Sequence, residues 1–574
     1  MPDYDLLIRG GLIVDGSGSE PFVGDIAIKG DRIAAMGRIA GTAARAVDAA
    51  GLIVTPGFVD VHTHYDGQAI WSDRLSPSSN HGVTTVVMGN CGVGFAPCRP
   101  SDHDLLLKVM EGVEDIPGVV MAEGLPWTWE TFPQYLDALE ARPRDIDVAV
   151  YLPHSPLRVY VMGQRGAARE PANEEDLRRM RALAKEAIEA GALGFATSRV
   201  FIHRTSDGKQ IPSFEADRRE LIEIARGMSD AGEGIVQAVL AIGPWEQELG
   251  MLGEVVSESG RPATFTFGAP NSGAKIWKEG LEIVERLNRS GPPVTAQMFP
   301  RPVGMIAGLE LSTHPFTLCP SFKAIEALPL AEKVRIMRDP AFRAKLVAEA
   351  PEEGHPLTQM ARNWEWMFPF GDPPNYEPPL ETSIAAEAKR RGQTPAEVAY
   401  DMLLEKEGKA LLLLPLGNYH EGKLDAVGEI IRHPNVIAGL GDGGAHYSVI
   451  CDASFTTFTL AYWVRDRAYD RLELSQAVRF LTHDPARTVG LDDRGLLAPG
   501  YKADLNLIDL DRLKLLAPET RYDLPAGGRR LDQRAEGYVM TIVSGEITLE
   551  NDEPTEARPG RLVRGTRAVP AMAG

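Results

Sequence analysis

The stretch NEEDLRRMRALAKEAIEAGALGFAT, residues 173–197, decides the fold. Asn173 is an N-cap candidate, and Glu174, Glu175 and Asp176 put negative charge into the first turn of the helix it would cap. Leu177, Met180, Leu183, Ala184, Ala187 and Ile188 then recur at the spacing of one helical face, and Gly191 stops the helix. Directly behind it, Ala192–Thr197 is a short apolar strand. The unit repeats: helices ending near Gly232, Gly260 and Gly291 are followed by the strands Ile235–Leu240, Ala263–Phe267 and Val294–Met298. Phe58–His62, Thr84–Met88 and Val148–Leu152 are apolar strands earlier in the chain, and Val436–Leu440 comes later. Continuous apolar strands alternating with amphipathic helices specify an α/β fold with a parallel sheet, and eight of them predict a closed (β/α)8 barrel. An open doubly wound sheet competes, but no Gly-x-Gly-x-x-Gly turn opens a helix after the first strand.

Outside this region the pattern is β-rich. Asp5–Val14, Asp25–Ile28 and Arg32–Met36 read as short strands punctuated by Gly10-Gly11, Gly16 and Gly30-Asp31. Ala503–Ile508 and Tyr538–Leu549 do the same at the other end, across the Gly/Pro/Arg-rich Pro525–Arg534. Neither end is large enough for its own core, so residues 1–55 and 489–574 are expected to form one small β-sandwich, with residues 56–488 as the barrel. Between strands seven and eight, residues 305–435 far exceed an ordinary loop and are expected to be an inserted helical lid or subdomain containing the proline-rich Pro369–Pro379. The run Pro415-Leu-Gly-Asn418-Tyr-His420 has no place in this scheme.

Composition bounds the function. The 574 residues are 44% hydrophobic and 24% charged, as in an ordinary globular protein, so any metal is expected to be functional rather than a structural staple. A net charge of −20 repels phosphate backbones and anionic lipid, which argues against nucleic-acid and membrane-surface roles. Runs such as Ala410–Leu414 fall far short of the roughly 20 apolar residues that cross a bilayer, and the start shows no basic and apolar leader, so a cytoplasmic location is expected. Four cysteines, Cys91, Cys98, Cys319 and Cys451, are too sparse for a disulfide framework. Three of them read as core filler.

The strongest chemical signal is Thr55-Pro-Gly-Phe-Val-Asp-Val-His62-Thr-His64. Side chains alternate along a strand, so His62 and His64 point the same way from the end of the first barrel strand, where barrel active sites sit. Two convergent imidazoles suit a borderline-soft ion such as zinc. Their bland alternative is a hydrogen-bonded pair at a strand end. Gly89-Asn90-Cys91-Gly92 places a soft ligand at the end of the second strand, although a free cysteine is by itself more often filler. In Gly439-Leu-Gly-Asp442-Gly-Gly-Ala-His446, Asp442 ends the strand that closes the barrel against the first, where it can ligate a metal or take a proton from water. In isolation it would read as a turn-former.

Pro56-Gly-Phe-Val-Asp-Val-His62-Thr-His64, Asn90-Cys91-Gly92, Asp442 and the closing Gly500-Tyr-Lys-Ala-Asp-Leu505, with a β unit at the ends, resemble the amidohydrolase superfamily, and within it the N-acyl-D-amino-acid deacylase group. The resemblance covers most of the chain. It implies a metal-dependent barrel with a small β-sandwich from both termini, and His62, His64, Cys91 and Asp442 as metal ligands with Asp442 also the catalytic acid/base. It further implies hydrolysis of a C–N amide bond in a small-molecule N-acyl amino acid, with a possible homo-oligomer. Other hydrolysis of cyclic amides or exocyclic C–N bonds by the same centre, and a metal-free scaffold, are the alternatives. The sequence departs from the group at strands five and six, whose two histidine ligands are replaced by Gln237 and Thr266, and the group's substrate-binding lysine near strand six is not evident. One zinc ion is therefore expected rather than two, with His203 or Gln237 as a substitute ligand. Arg199, His203, His154 and His446, also on the predicted rim, are candidate substrate-binding residues, Arg199 as a bidentate clamp on a carboxylate. His81, His103, His314, His355, His420, His433 and His483 have no supporting pattern.

Overall fold

The computed structural model describes residues 2–352 and 360–571, so His355 lies outside the described residues. Eight parallel strands run in unbroken sequence order: β1 (Phe58–Asp60), β2 (Val83–Met88), β3 (Asp147–Pro153), β4 (Gly194–Ser198), β5 (Ile235–Val239), β6 (Ala263–Phe267), β7 (Val294–Met298) and β8 (Val436–Ala438). Nearly every residue in them is buried, which is why they read as apolar runs without alternation. Past the ends of β1 and β8 the barrel closes through two backbone hydrogen bonds, Asp442 N–H to His62 O (3.1 Å) and His64 N–H to Gly443 O (2.8 Å). The residues that close the barrel are thus the ones the motifs singled out.

The helices arise from the same local chemistry. Those that position the site are α1 (His103–Glu114), α2 (Glu174–Ala190), α3 (Arg218–Ala231), α4 (Trp245–Ser259) and α5 (Ile276–Asn288). Asn173 caps α2 by accepting from the amides of Glu175 and Asp176, while the Asp176 carboxylate accepts from the Asn173 amide, a reciprocal capping box. Gly191 takes the left-handed conformation that ends the helix, at φ 116°. Helix α5 departs from this pattern, because it stops at Asn288 on an Arg289 cap and Gly291 is not left-handed.

Both ends of the chain enter one nine-stranded sheet. Its seam is the antiparallel pairing of Ile53–Pro56 with Leu505–Ile508, and Tyr4–Ile13 lies parallel on the other side of Ile53–Pro56. Leu6, Ile8, Ile26, Val54, Leu505, Leu507 and Ile542 share its core. The expected single strand Tyr538–Leu549 is two, Tyr538–Val543 and Glu546–Glu550, because Ser544 and Gly545 both have positive φ and reverse the chain in two residues. Ala43–Asp48 and Ile53–Pro56 are further strands that the local pattern did not show.

This sheet is anchored to the barrel by a buried ionic cluster. Asp147, at the start of β3, accepts from Arg494 Nη1 and Lys502 Nζ, each at 2.8 Å, and from the Arg561 amide at 2.9 Å. Lys502 also pairs with Asp504 and Arg494 with Asp493. Lys502 and Asp504 of the closing motif are therefore structural.

The insertion between β7 and β8 has its own core of Phe316, Phe322, Met337, Met367, Tyr400, Leu403 and Leu412. It is helical as expected, but it also contains a three-stranded antiparallel sheet, Val303–Ala307, Leu412–Gly417 and Phe368–Pro369, which begins before residue 305. Asn418 joins its base to the barrel: the side chain accepts from the Ala269 amide at 2.9 Å and donates to Phe299 O at 3.2 Å. That places the run around Asn418 as a brace between the ends of β6 and β7.

Candidate metal centre

Four side chains converge where β1, β2 and β8 end. Cys91 Sγ lies 3.4 Å from His62 Nε2 and 3.7 Å from His64 Nε2. Asp442 Oδ1 lies 3.6 Å from each of the same two nitrogens. Ligand bonds of about 2.0–2.3 Å around a tetrahedral zinc separate neighbouring donors by about 3.3–3.7 Å. All four separations fit, and His62, His64 and Cys91 alone form a group whose donor atoms lie within 4.8 Å of one another.

Local sequence explains the convergence. Cys91 sits in a turn of left-handed residues, with φ 83° at Gly89, 57° at Cys91 and 66° at Gly92. Asn90 ties this turn down by donating to Val87 O at 2.9 Å and to Thr63 O at 3.2 Å. Gly92 packs so closely on β4 that an added Cβ would come within 2.9 Å of Thr197 Cα. Asp442, at φ 46°, is bent over the end of β1. A side chain at Gly441 would fall 2.0 Å from Asp60 Oδ2, so the glycines of this loop answer to close packing on β1.

Electrostatics prepare the donors. Burial lowers the His62 imidazole to about 4 and lowers His64 as well, so both rings are neutral at pH 7. Gln297 on β7 accepts from His62 Nδ1–H at 2.8 Å, which leaves the Nε2 lone pair facing Cys91 and Asp442. Burial raises the Cys91 thiol well above its usual range, and Glu114, Asp442 and Asp66 raise it further. Burial also works against ionisation of Asp442, but His64 and His62 outweigh it and hold that carboxyl low.

The other rim residues divide into two groups. His446 is at the cluster, with Nε2 3.6 Å from Glu114 Oε2 and its side chain 29% exposed. His203 faces the same group electrostatically: burial, then His446, His64 and His62, lower it to about 3, and its Nδ1 is 2.8 Å from Ser198 Oγ. His154, by contrast, is fully buried with Nδ1 on Thr197 Oγ1 at 2.9 Å and Nε2 on Glu220 of α3 at 2.8 Å. Neither nitrogen is left for a ligand. Arg199 is tied to Glu248 of α4 at 3.1 Å and to Ala216 O, a structural pairing in place of the expected clamp. On β5, buried Gln237 has no hydrogen-bond partner for either amide atom among the described residues. Two residues at the centre escape the sequence motifs, Gln297 and Glu114 of α1. Glu114 continues the buried stripe Leu106, Met110 at intervals of four, and a carboxylate is disfavoured at the last turn of a helix, which are the signals that mark it.

Comparison with known proteins matches residues 45–549 to the amidohydrolase family. D-aminoacylase of Alcaligenes xylosoxydans xylosoxydans is 36% identical over 248 residues, 41% of this chain and 46% of that protein, so the match spans about half of the relative's length. N-acyl-D-glutamate deacylase of the same organism is 27% identical over 98% of this chain and 97% of its own. Among solved structures, N-acyl-D-glutamate deacylase from Bordetella bronchiseptica, complexed with zinc and a phosphonate inhibitor, aligns with a TM-score of 0.64 at 24% identity, covering 98% of this chain and 99% of that one. This likeness shows a shared fold. No helix among the described residues is long and apolar enough to cross a membrane.

Proposed function

The chain belongs to the amidohydrolase family, and from that premise we propose that it is a metal-dependent hydrolase of C–N amide bonds in N-acyl-D-amino acids or small peptide-like amides. The observation that carries this reading is the convergence of His62, His64, Cys91 and Asp442 at ligand spacing on the catalytic rim of the barrel. These four residues would hold one zinc ion. Such an ion would supply Lewis acidity there, lowering the pKa of a water toward about 7 and offering positive charge to the scissile carbonyl oxygen.

The chain's own groups supply the rest. Asp442, with 21% of its side chain exposed, is the most open of the four donors and meets the substrate. Its carboxylate, ionised at pH 7, accepts a proton from the attacking water and returns it to the amine nitrogen as the C–N bond breaks. His62 and His64 stay neutral through this cycle, and Gln297 keeps the first of them oriented. The loop that carries His203 also exposes two apolar side chains, Phe201 and Ile202, 63% and 79%. The D configuration rests on the relatives, a D-aminoacylase and an N-acyl-D-glutamate deacylase.

Amine release from paired D and L N-acyl amino acids, before and after chelation with zinc add-back, tests the proposal. Release from D substrates that chelation abolishes and zinc restores is the expected result. Protein that holds stoichiometric metal yet releases nothing moves the substrate class to cyclic amides, and protein that holds no metal removes the catalytic reading.

A further inference from the structure

Glu114 is 1% exposed, at the end of α1. Its Oε2 lies 3.3 Å from His64 Nε2, closer than either Cys91 Sγ or Asp442 Oδ1, and 3.6 Å from His446 Nε2. Its other oxygen, Oε1, is buried with no hydrogen-bond partner among the described residues. A buried carboxylate without compensation costs several kcal/mol, which a cation beside it would offset. Lysine and arginine do not supply one: among the described residues, none pairs with Glu114, Asp442 or Cys91. Three acidic groups, Glu114, Cys91 and Asp442, therefore converge on His64 Nε2.

We infer that Glu114 is a further protein ligand of the metal, delivered from the helix after β2, and that it anchors the ion so that Asp442 is free to handle the proton. This rests on the reading of the site as a metal centre. Burial and exposure divide the two carboxylates in that sense: Glu114 is closed off from solvent and held by the backbone of its helix, while Asp442 sits on the open side. The helix is placed for this duty. A Cβ at Gly112, two residues before Glu114, would meet Arg204 O at 2.2 Å, and His446 N–H donates to Glu114 O, so α1 is clamped between the His203 loop and the Asp442 loop.

The test is metal binding, independent of turnover. Zinc affinity is measured by chelator competition on wild type, Glu114→Gln and Asp442→Asn, together with the visible spectrum of each cobalt-substituted form. Glu114→Gln is expected to weaken zinc binding by at least about 10- to 100-fold and to change the cobalt bands, with a smaller affinity loss in Asp442→Asn. Unchanged affinity and spectrum in Glu114→Gln overturn the assignment, as does metal loss confined to Asp442→Asn. Where circular dichroism shows Glu114→Gln unfolded, Glu114→Asp decides: the charge stays but the carboxylate withdraws by one methylene, and a wild-type cobalt spectrum then refutes ligation. Wild-type protein that binds no metal strikes the underlying reading, whereas indifference to Glu114 in metal-binding protein strikes this inference alone.

Discussion

Replacing Gln297 with leucine isolates what orients the first histidine. The wild-type amide accepts from His62 Nδ1–H at 2.8 Å, and both side chains are buried. Leucine keeps much of the volume and removes the acceptor. The stranded N–H then costs about 1–3 kcal/mol, unless the ring moves its proton to Nε2. That escape takes away the lone pair that faces Cys91 and Asp442, and metal binding has to reverse it. Either route lowers metal affinity by about 10- to 100-fold, or about 1.4–2.7 kcal/mol. Chelator competition on apo protein measures it directly, with Gln297→Glu as the contrast, because a carboxylate accepts the same hydrogen bond more strongly and should hold metal at least as tightly as wild type. Unchanged affinity in Gln297→Leu, with the apo fold intact, refutes the reasoning that this contact sets the tautomer.

Two other variants probe a catalytic and a structural carboxylate. Asp442→Asn should fold and retain most of its metal while turnover falls by about 100- to 10,000-fold, read as amine release per bound metal; near-wild-type release removes the proton-transfer role. Asp147→Asn tests the ionic anchor: burial raises the Asp147 carboxyl, but Lys502 and Arg494 overcome it and leave the folded pKa below the unfolded value of about 3.9. A depressed carboxylate stabilises the fold fully above that unfolded value and loses the contribution as pH falls below it. The difference in unfolding free energy between wild type and variant, from urea titration, is about 3 kcal/mol at pH 7 and should therefore shrink from pH 5 toward pH 2, and a constant difference refutes the assignment.

Much of the barrel was legible because every strand is buried on both faces and is bounded by glycine or proline. The ends of β1 and β8 were overrun by two residues each, since Val61-His62 and Gly439-Leu440 leave the extended ladder to build the rim, Leu440 at φ 66°. Ala43–Asp48 was invisible because it is largely exposed and rich in alanine, and it pairs with a strand some forty residues earlier. The donor motifs were readable as short-range spacing on strand ends. Glu114 and Gln297 were not, because one arrives from a helix and the other from a strand 235 residues later in the chain, and only the fold brings them to His64 and His62. Arg199 and His154 show the converse: a rim position in sequence does not stop a polar group from being taken by a neighbouring helix.

The seam between Ile53–Pro56 and Leu505–Ile508 also sets a clock on synthesis. Translation proceeds at about 5–20 residues per second, so the strand at Ile53 waits roughly 20–90 s before its partner leaves the ribosome. Through that interval Tyr4–Ile13 covers one edge of Ile53–Pro56 and nothing of its own chain covers the other. An uncovered edge of Ile53, Val54 and Thr55 is a pairing site for another nascent chain, so crowding of ribosomes on one message is the condition under which this protein is most exposed to aggregation.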